Sequence, residues 1–210
     1  IKRRVWNLAF TIMHYTGCRP SELLKMKWAD IRELRTNDKL ERKINKILFI
    51  PQENSKTGRS RELVAPIGEQ LNSLKKWYKQ EPFSFECTPD RYVFPRLTLT
   101  DIENNIPTTT VAWTKRIKAT MEGSERDGVW DSQGRRITLY SSRHYYITEA
   151  IMRGVTMNDI ALNCGTSIQY IEETYSHITT TMRSKDITQG LGIHSMPEES
   201  KRKFVEKIKG

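Results

Sequence analysis

The chain has 210 residues, a length that suits one domain or one large domain with a small appendage. Its mean hydropathy is −0.64 and no apolar run approaches the ~18 residues that span a bilayer, so we predict a soluble protein with a lean core and no membrane partner. Lys and Arg outnumber Asp and Glu by 35 to 25, and a net charge of +10 favours nucleic acid as the partner.

The cysteines and the first ten residues indicate the cellular compartment of the protein. Cys18, Cys87 and Cys164 are odd in number and far apart, with no CxxC, so neither a disulfide framework nor a zinc site is indicated. Reduced thiols favour the cytoplasm, and the opening "IKRRVWNLAF" is too basic for a signal peptide. Because the chain lacks an initiator Met, we expect a fragment of a longer protein.

The first half of the chain changes from helical to β-like periodicity. Residues 3–17, "RRVWNLAFTIMHYTG", have helical spacing, and Gly17 can end that helix. Ser21 is expected to begin a second short helix, "SELLKMKWAD", and the charged residues 32–46 are expected to form an exposed loop or ribbon. "KILFIPQ" and "RELVAPI" then predict a β-hairpin with Lys56 near its tip.

The second half is mainly helical. Helices are predicted for "GEQLNSLKKWYKQ" and "TTTVAWTKRIKATME", with a short strand at "RYVFP" between them and a polar loop at 124–136 after them. From residue 138 to 176 the pattern is helical with breaks at Gly154 and Gly165, and the tail 197–210 is a basic helix or a disordered end. The predicted fold class is mainly α with a small antiparallel β-sheet or hairpin (α+β).

No cofactor is predicted. The sequence contains no GxxxxGK[ST] loop, GxGxxG elbow, HExxH or GxSxG, so nucleotide, zinc-protease and serine-hydrolase sites have no support.

Two arginines, Arg19 and Arg143, stand among apolar or aromatic neighbours. Each has an ordinary explanation as a salt bridge, with Glu22 the obvious partner of Arg19, and a functional one as a bidentate phosphate clamp.

Four segments, in order, resemble the tyrosine recombinases, the phage-integrase family. "TGCRPSELLKMKWADI" is similar to the Thr-Gly-x-Arg-x-x-Glu-Leu signature, and "SKTGRSRELVAPI" to the hairpin with a lysine before Thr-Gly. "YSSRHYYITEAIMRGV" resembles the His-x-x-Arg-His helix, and "IALNCGTSIQYIEETYSHI" the Leu-Gly-His…Tyr-x-His ending. The resemblance covers about residues 16–178 and implies the catalytic core of a DNA breaking-rejoining enzyme.

The resemblance implies a mechanism and its residues. Tyr175 would attack a DNA phosphodiester and form a 3′-phosphotyrosine link, which a 5′-hydroxyl then displaces without metal or ATP. Arg19 and Arg143 would stabilise the charged transition state, and Lys56 would be the general acid. The alternatives are a half-buried packing tyrosine and an exposed turn lysine. Tyr145, Tyr146 and Tyr170 are expected to pack in the core or between helices.

Two positions depart from the family pattern, and both lack the usual histidine. Tyr140 stands three residues before Arg143, and Thr166 follows Gly165. Tyr140 could bond a phosphate oxygen or the Tyr175 hydroxyl, but it is a poor proton acceptor. We therefore hypothesise a weakened acid–base set, with three alternative consequences: slow turnover, a preference for higher pH, or the borrowing of His177 or His144. These histidines, with Glu22 as the residue that orients Arg19, are the supporting residues.

The resemblance also implies domains and partners. Residues 1–190 would form the catalytic domain, preceded in the full protein by a DNA-binding domain. Residues 191–210 would be a basic tail that docks on a neighbouring protomer or simply frays. The implied partners are double-stranded DNA, a homotetramer on two sites, and accessory DNA-bending or directionality proteins, at the nucleoid of a bacterial or phage-infected cell.

Three functions remain open from the sequence. The first is an active recombinase or integrase of a phage or mobile element. The second is a type IB topoisomerase-like strand transferase or telomere resolvase. The third is a DNA-binding member of the fold that has lost turnover, for which Tyr140 and Thr166 are the best support.

Overall fold

The computed structural model describes residues 2–121, 138–182 and 197–209. Helix α1 (Lys2–Thr16) ends at Gly17, whose φ of +62° lies in the left-handed region, as the sequence predicts. Helix α2 (Pro20–Leu24) begins at Pro20 and is shorter than predicted. A 3-10 turn at Trp28–Asp30 replaces its second half and leads into strand β1 (Ile31–Glu33).

The predicted hairpin is confirmed as part of a three-stranded antiparallel sheet. Strand β2 (Lys46–Ile50) pairs with β1 on one side and with β3 (Arg61–Ala65) on the other. Leu48 lies opposite Ile31 and Leu63, so one face of the sheet carries apolar side chains to the core. Lys56 lies in the exposed turn between β2 and β3.

Two local predictions are wrong. The stretch 32–46 is not only a loop or ribbon, because it contains helix α3 (Lys39–Ile44), capped by the Asp38 carboxylate, which accepts from the Leu40 and Glu41 N–H groups. The helix has no buried residue and therefore no apolar period to reveal it. "RYVFP" forms isolated bridges rather than a strand, and helix α5 (Leu99–Glu103) follows it unpredicted.

The remaining helices agree with the prediction. Gly154 and Gly165 both have positive φ and separate the three helices after residue 138, as expected. The tail is a helix rather than a disordered end. The predicted loop 124–136 lies outside the described residues. The helices are α4 (Gly68–Tyr78), α6 (Thr110–Met121), α7 (Ser141–Met152), α8 (Met157–Cys164), α9 (Ile168–Met182) and α10 (Glu198–Lys209).

The buried apolar residues form two clusters. The larger one joins α1, α2 and α4 to the inner face of the sheet. The smaller one lies between α7, α8 and α9 and contains Tyr175. Because α1 packs on α7 and β3 packs on α8, the two clusters meet along one seam. The fold is thus mainly α with a small antiparallel sheet, as predicted, and none of the described helices is long and apolar enough to cross a membrane.

Candidate active site

Tyr175 lies on α9 with its ring inside the smaller cluster. The residue is 4% exposed, and its hydroxyl oxygen lies 2.6 Å from Nδ1 of His144 on α7. Burial raises the pKa of the Tyr175 hydroxyl well above its ordinary value, and the nearby Tyr170 adds to the rise. The hydroxyl is therefore protonated at neutral pH, and it becomes a good nucleophile only when a neighbour takes its proton.

His144 is the neighbour in hydrogen-bond contact with this hydroxyl. Burial lowers the pKa of the His144 imidazole, and the positive charge of Arg143 lowers it further, so the ring is neutral at neutral pH. In the tautomer with its proton on Nε2, Nδ1 accepts the hydrogen bond from the Tyr175 hydroxyl. The pair has the geometry of a nucleophile and its general base.

Tyr140 does not reach the nucleophile. It precedes the first turn of α7, is 38% exposed, and places its ring edge-on against His144 with the ring centres 5.4 Å apart. Among the described residues its hydroxyl makes no hydrogen bond to Tyr175. Of the two contacts expected for Tyr140, only a bond to a phosphate oxygen stays a prediction.

A cavity of about 820 Å³ opens beside the His144–Tyr175 pair. His177 is exposed and lines it, so both histidines considered as substitutes share this space. Tyr145 lines it as well and stacks on His14 of α1 with the ring centres 4.4 Å apart, which makes Tyr145 a helix-packing residue, as predicted. Neither Arg19 nor Arg143 lines this cavity.

Arg19 is held between α2 and the turn that follows α8. Its Nη1 donates to Oε1 of Glu22 at 2.9 Å, and its Nη2 donates to the Gly165 carbonyl at 2.7 Å. The Arg19 backbone N–H also donates to Oε2 of Glu22 at 2.9 Å. The expected ion pair between Arg19 and Glu22 therefore exists. The bonds to Glu22 and Gly165 use only two of the five N–H groups of the Arg19 guanidinium.

Arg61 is the residue that the sequence analysis missed. Its Nη2 donates to Oε2 of Glu22 at 2.6 Å, its Nη1 to Oε1 at 3.1 Å, and its Nε to the Asn163 carbonyl at 3.2 Å. A signal was present, because Arg61 occupies the same face of β3 as the buried Leu63 and Ala65. Burial raises the pKa of the Glu22 carboxyl, but Arg61 and Arg19 outweigh it and the pKa is lowered.

Arg143 is buried, with 1% of its surface exposed. Its Nη1 donates to the carbonyls of Gly17, at 2.7 Å, and Cys164, at 2.6 Å. Its Nε is buried and has no partner in the part of the chain that the structure describes. A buried unpaired donor is rare in folded proteins and is a reason to consider a ligand.

The three arginines meet at the C-terminal end of α8. Arg61, Arg143 and Arg19 donate to three consecutive carbonyls, those of residues 163, 164 and 165. The last carbonyls of a helix have no partner within the helix and carry the negative end of its dipole. Cationic side chains are therefore favoured at this point, and α8 brings together Arg19 and Arg143, which lie far apart in sequence.

Gly165 makes this close approach possible. Its φ is +64°, and a Cβ on it would lie 2.6 Å from Cζ of Arg61. The Thr166 N–H donates to the Ala161 carbonyl at 3.0 Å and completes the helix end. The Thr166 side chain is half-buried and makes no hydrogen bond within the described residues.

Lys56 is the predicted residue that the structure does not bring to the site. It lies in the exposed hairpin turn, where Ser55 and Thr57 bond each other across it at 3.0 Å. The structure thus joins Arg19, Glu22 and Arg143 in one network and His144 with Tyr175 in an adjacent pair. No three His, Cys, Asp or Glu side chains within the described ranges converge on a metal-sized site.

The comparison with protein-family models identifies one family. The family model "Phage integrase family" matches residues 3–182. No curated protein sequence matches the chain significantly. The fold is similar to that of the XerH site-specific recombinase bound to difH substrate, with a TM-score of 0.54 at 16% identity over 88% of this chain and 45% of that one.

Two further solved structures share the fold. The XerA recombinase has a TM-score of 0.55 at 18% identity, over 89% of this chain and 61% of that one. The Tn1549 transposon integrase in complex with transposon right end DNA has a TM-score of 0.56 at 16% identity, over 86% and 57%. The chain therefore spans about half of the length of these structures, from 45% to 61%.

Proposed function

Because the chain belongs to the phage integrase family, we propose that it is the catalytic part of a site-specific DNA recombinase that cleaves and rejoins strands through Tyr175. The observation that carries the proposal is the 2.6 Å hydrogen bond between the Tyr175 hydroxyl and Nδ1 of His144. It pairs a buried tyrosine with a neutral imidazole in a chain that lacks both usual histidines.

The reaction is a transesterification in which one phosphate ester replaces another. As the Tyr175 oxygen bonds the scissile phosphorus, its proton passes to Nδ1 of His144. The bond from phosphorus to the 5′-oxygen breaks, and Lys56 gives that oxygen a proton. A 5′-hydroxyl from a partner strand then reverses these steps. Because the number of ester bonds is unchanged, neither ATP nor a metal ion is needed in this scheme.

Arg19 and Arg143 would stabilise the charge on the non-bridging oxygens. Each keeps guanidinium N–H groups that bond nothing among the described residues, the buried Nε of Arg143 included. A hydrogen bond to a charged group contributes about 1.5–3 kcal/mol. Once the site is open to the phosphate, carbonyls that hold the two guanidinium groups keep the remaining donors oriented, so their stabilisation of the transition state costs little further reorganisation.

Burial of the nucleophile sets a condition on this scheme. Tyr175 is 4% exposed and Arg143 is 1% exposed, so neither can meet a duplex phosphate in this arrangement. We infer that DNA binding opens the cavity beside His144 and uncovers Arg143, and that Tyr175 keeps its contact with His144 when the phosphate is in place. The hairpin turn that carries Lys56 would close on the phosphate from the other side.

The proposed partners follow from charge and from the family. Double-stranded DNA suits the net charge of +10, and the XerH and Tn1549 integrase structures are complexes with DNA. We propose that residues 1–190 act as the catalytic domain behind a separate DNA-binding domain, in a homotetramer on two sites. The tail 191–210 would dock on a neighbouring protomer. Accessory DNA-bending or directionality proteins and a cytoplasmic location complete this proposal.

A DNA-binding protein without turnover is the second candidate. Tyr140 and Thr166 favour it, because both stand where the family pattern has a proton-transferring histidine. A topoisomerase-like strand transferase would share the chemistry and differ only in relaxing one duplex instead of exchanging two.

Covalent trapping separates these functions. Full-length protein is incubated, with EDTA and without ATP, with nicked duplexes that carry candidate attachment sequences, because a short cleaved strand diffuses away and leaves the enzyme linked. An SDS-resistant adduct from wild type but not from Tyr175→Phe supports the recombinase. Tight binding of the same duplexes without any adduct would leave the DNA-binding protein instead.

A further inference from the structure

Arg61 links three parts of the proposed active site. It lies at the start of β3, directly after the hairpin turn that carries Lys56. Its guanidinium forms a fork on the Glu22 carboxylate and also binds the Asn163 carbonyl at the end of α8. The Arg61 side chain is buried to the same degree as that of Arg19, with 11% exposed in each case. Its contacts therefore face the interior and not the solvent.

Glu22 is shared unequally between the two arginines. Oε2 accepts from Nη2 of Arg61 at 2.6 Å and from the Arg19 backbone, while Oε1 accepts from Nη1 of both side chains. The Arg19 side chain consequently donates one hydrogen bond to the carboxylate instead of forming a two-bond fork with it. That leaves its other N–H groups for the Gly165 carbonyl and for an incoming anion.

We propose that Arg61 is a positioning residue that keeps the Arg19 guanidinium available to the scissile phosphate by occupying Glu22. The inference rests on the proposed function. Without Arg61 the carboxylate is free to accept two hydrogen bonds from the Arg19 guanidinium, because an arginine–carboxylate pair prefers the bidentate geometry. Arg19 would then turn from the phosphate and lose its hold on Gly165, and the turn after α8 would lose the contact at Asn163.

The test compares Arg61→Gln with wild type in single-turnover cleavage of the nicked duplex that gives the covalent adduct. Misplacement of a catalytic group by about 1 Å costs on the order of 10²-fold in rate, and that is the loss we expect. DNA affinity, measured on the intact duplex with Tyr175→Phe present in both proteins so that no strand is cleaved, should change by less than about threefold, because Arg61 itself touches no DNA in this account.

Two readouts distinguish positioning from a general loss of structure. Arg61→Gln should cost little further rate in an Arg19→Gln background, since both changes disable the same group. A duplex with a methylphosphonate at the cleaved linkage carries no charge there, so the penalty of Arg61→Gln should shrink on it. Arg61→Lys, which keeps the charge without the fork, should recover only part of the rate.

Arg91→Gln is the matched control. Arg91 also donates to a backbone carbonyl, that of Ile102 at 2.8 Å, and it packs on Phe85. Neither of these contacts involves a residue of the proposed site. It should lower the melting temperature and keep the cleavage rate. Unchanged cleavage by Arg61→Gln, or full additivity with Arg19→Gln, would overturn the inference while leaving the adduct of wild type intact.

Failure of the proposed function has a different signature, because wild type itself then forms no adduct. In that case the network is tested without DNA. Side-chain NMR of Arg19 should show slowed rotation of its guanidinium in wild type, as expected for Nη1 and Nη2 held by Glu22 and Gly165. An Arg19 signal that does not change in Arg61→Gln would overturn the coupling directly.

Discussion

Nδ1 of His144 lies 2.6 Å from the hydroxyl of Tyr175, across the contact between α7 and α9. His144 directly follows Arg143, which points to the end of α8 instead. Successive helical residues point about 100° apart, so one turn of α7 would supply both a charge for the phosphate and a base for the nucleophile in the proposed function. In the proposed function, this pair would take the place of the histidines that are absent at positions 140 and 166.

The first prediction concerns His144. His144→Ala should lower the cleavage rate by about 10²–10⁴-fold, the usual contribution of a general base. In wild type the rate should fall with falling pH, below about 6.5, because the pKa of His144 is lowered from that ordinary value and only the neutral ring accepts a proton. A pH–rate profile measures both.

His177→Ala is the control for this profile, since His177 lines the same cavity. The fall in cleavage rate at acid pH should persist in His177→Ala and vanish in His144→Ala. The reverse pattern would assign the base to His177 and would contradict the role given to His144.

The second prediction concerns the two departures from the family pattern. Restoring histidines in a Tyr140→His, Thr166→His variant should raise the cleavage rate at neutral pH by about tenfold or more, because both would add proton-transfer groups around the phosphate. Single-turnover cleavage of the same nicked duplex provides the measurement. An unchanged rate would mean that His144 and Lys56 already supply all the proton transfer that the reaction uses.

The third prediction concerns Lys56, which lies in an exposed turn. Lys56→Ala should lower cleavage of an ordinary duplex by about 10²–10⁴-fold without changing the melting temperature. A 5′-bridging phosphorothiolate should restore the rate, because a thiol with a pKa of about 8.5 leaves without an added proton. Lys76→Ala, on the exposed side of α4, should change neither rate. A loss that sulfur does not rescue would exclude Lys56 as the general acid.

The fourth prediction concerns stability. The pKa of Glu22 is lowered in the folded protein, so its contribution is fully present above the unfolded pKa of about 4.3 and is lost as pH falls through the folded value. Glu22→Gln should lower the free energy of unfolding by about 3–5 kcal/mol at pH 7, since it leaves buried arginines unpaired. Its penalty should shrink as acid protonates Glu22 in wild type.

Urea unfolding at several pH values measures this penalty. Glu62→Gln removes the partner of Arg32 in an ion pair whose side chains are 49% and 51% exposed, and it should cost less than about 1 kcal/mol. Equal costs for the two substitutions would contradict the buried network around Glu22.

The sequence predicts much of the fold because most elements carry an apolar period. Helix α1 and the hairpin follow from spacing and from turn glycines, and the breaks at Gly154 and Gly165 are both confirmed by positive φ. Helix α3 has no buried residue, so nothing in its pattern separates it from an exposed loop. The sequence signal for α3 is the capping residue Asp38, and Asp is too common outside helix ends for this signal alone to predict a helix.

The sequence predicts which residues belong to the site where they lie in a recognisable motif. It does not predict the contacts that depend on how the helices pack. Arg19 pairs with Glu22, as predicted, and Arg19 and Arg143 donate to neighbouring carbonyls at the end of α8. The sequence left His144 and His177 as alternatives, because the rotation of α7 against α9 decides which one meets Tyr175. Arg61 was missed because an arginine that begins a strand is usually exposed. Its position two residues before the buried Leu63 nevertheless places it on the inward face of β3.

The most direct test of the account is to map the residue that carries the DNA. The trapped adduct is digested with protease and nuclease, and mass spectrometry identifies the tyrosine that holds a nucleotide through its 3′-phosphate. The account predicts the peptide that contains Tyr175, with a 5′-hydroxyl on the released strand. An adduct on Tyr140, Tyr145 or Tyr170, or a 5′-phosphate link, would contradict the nucleophile and the His144–Tyr175 pair together.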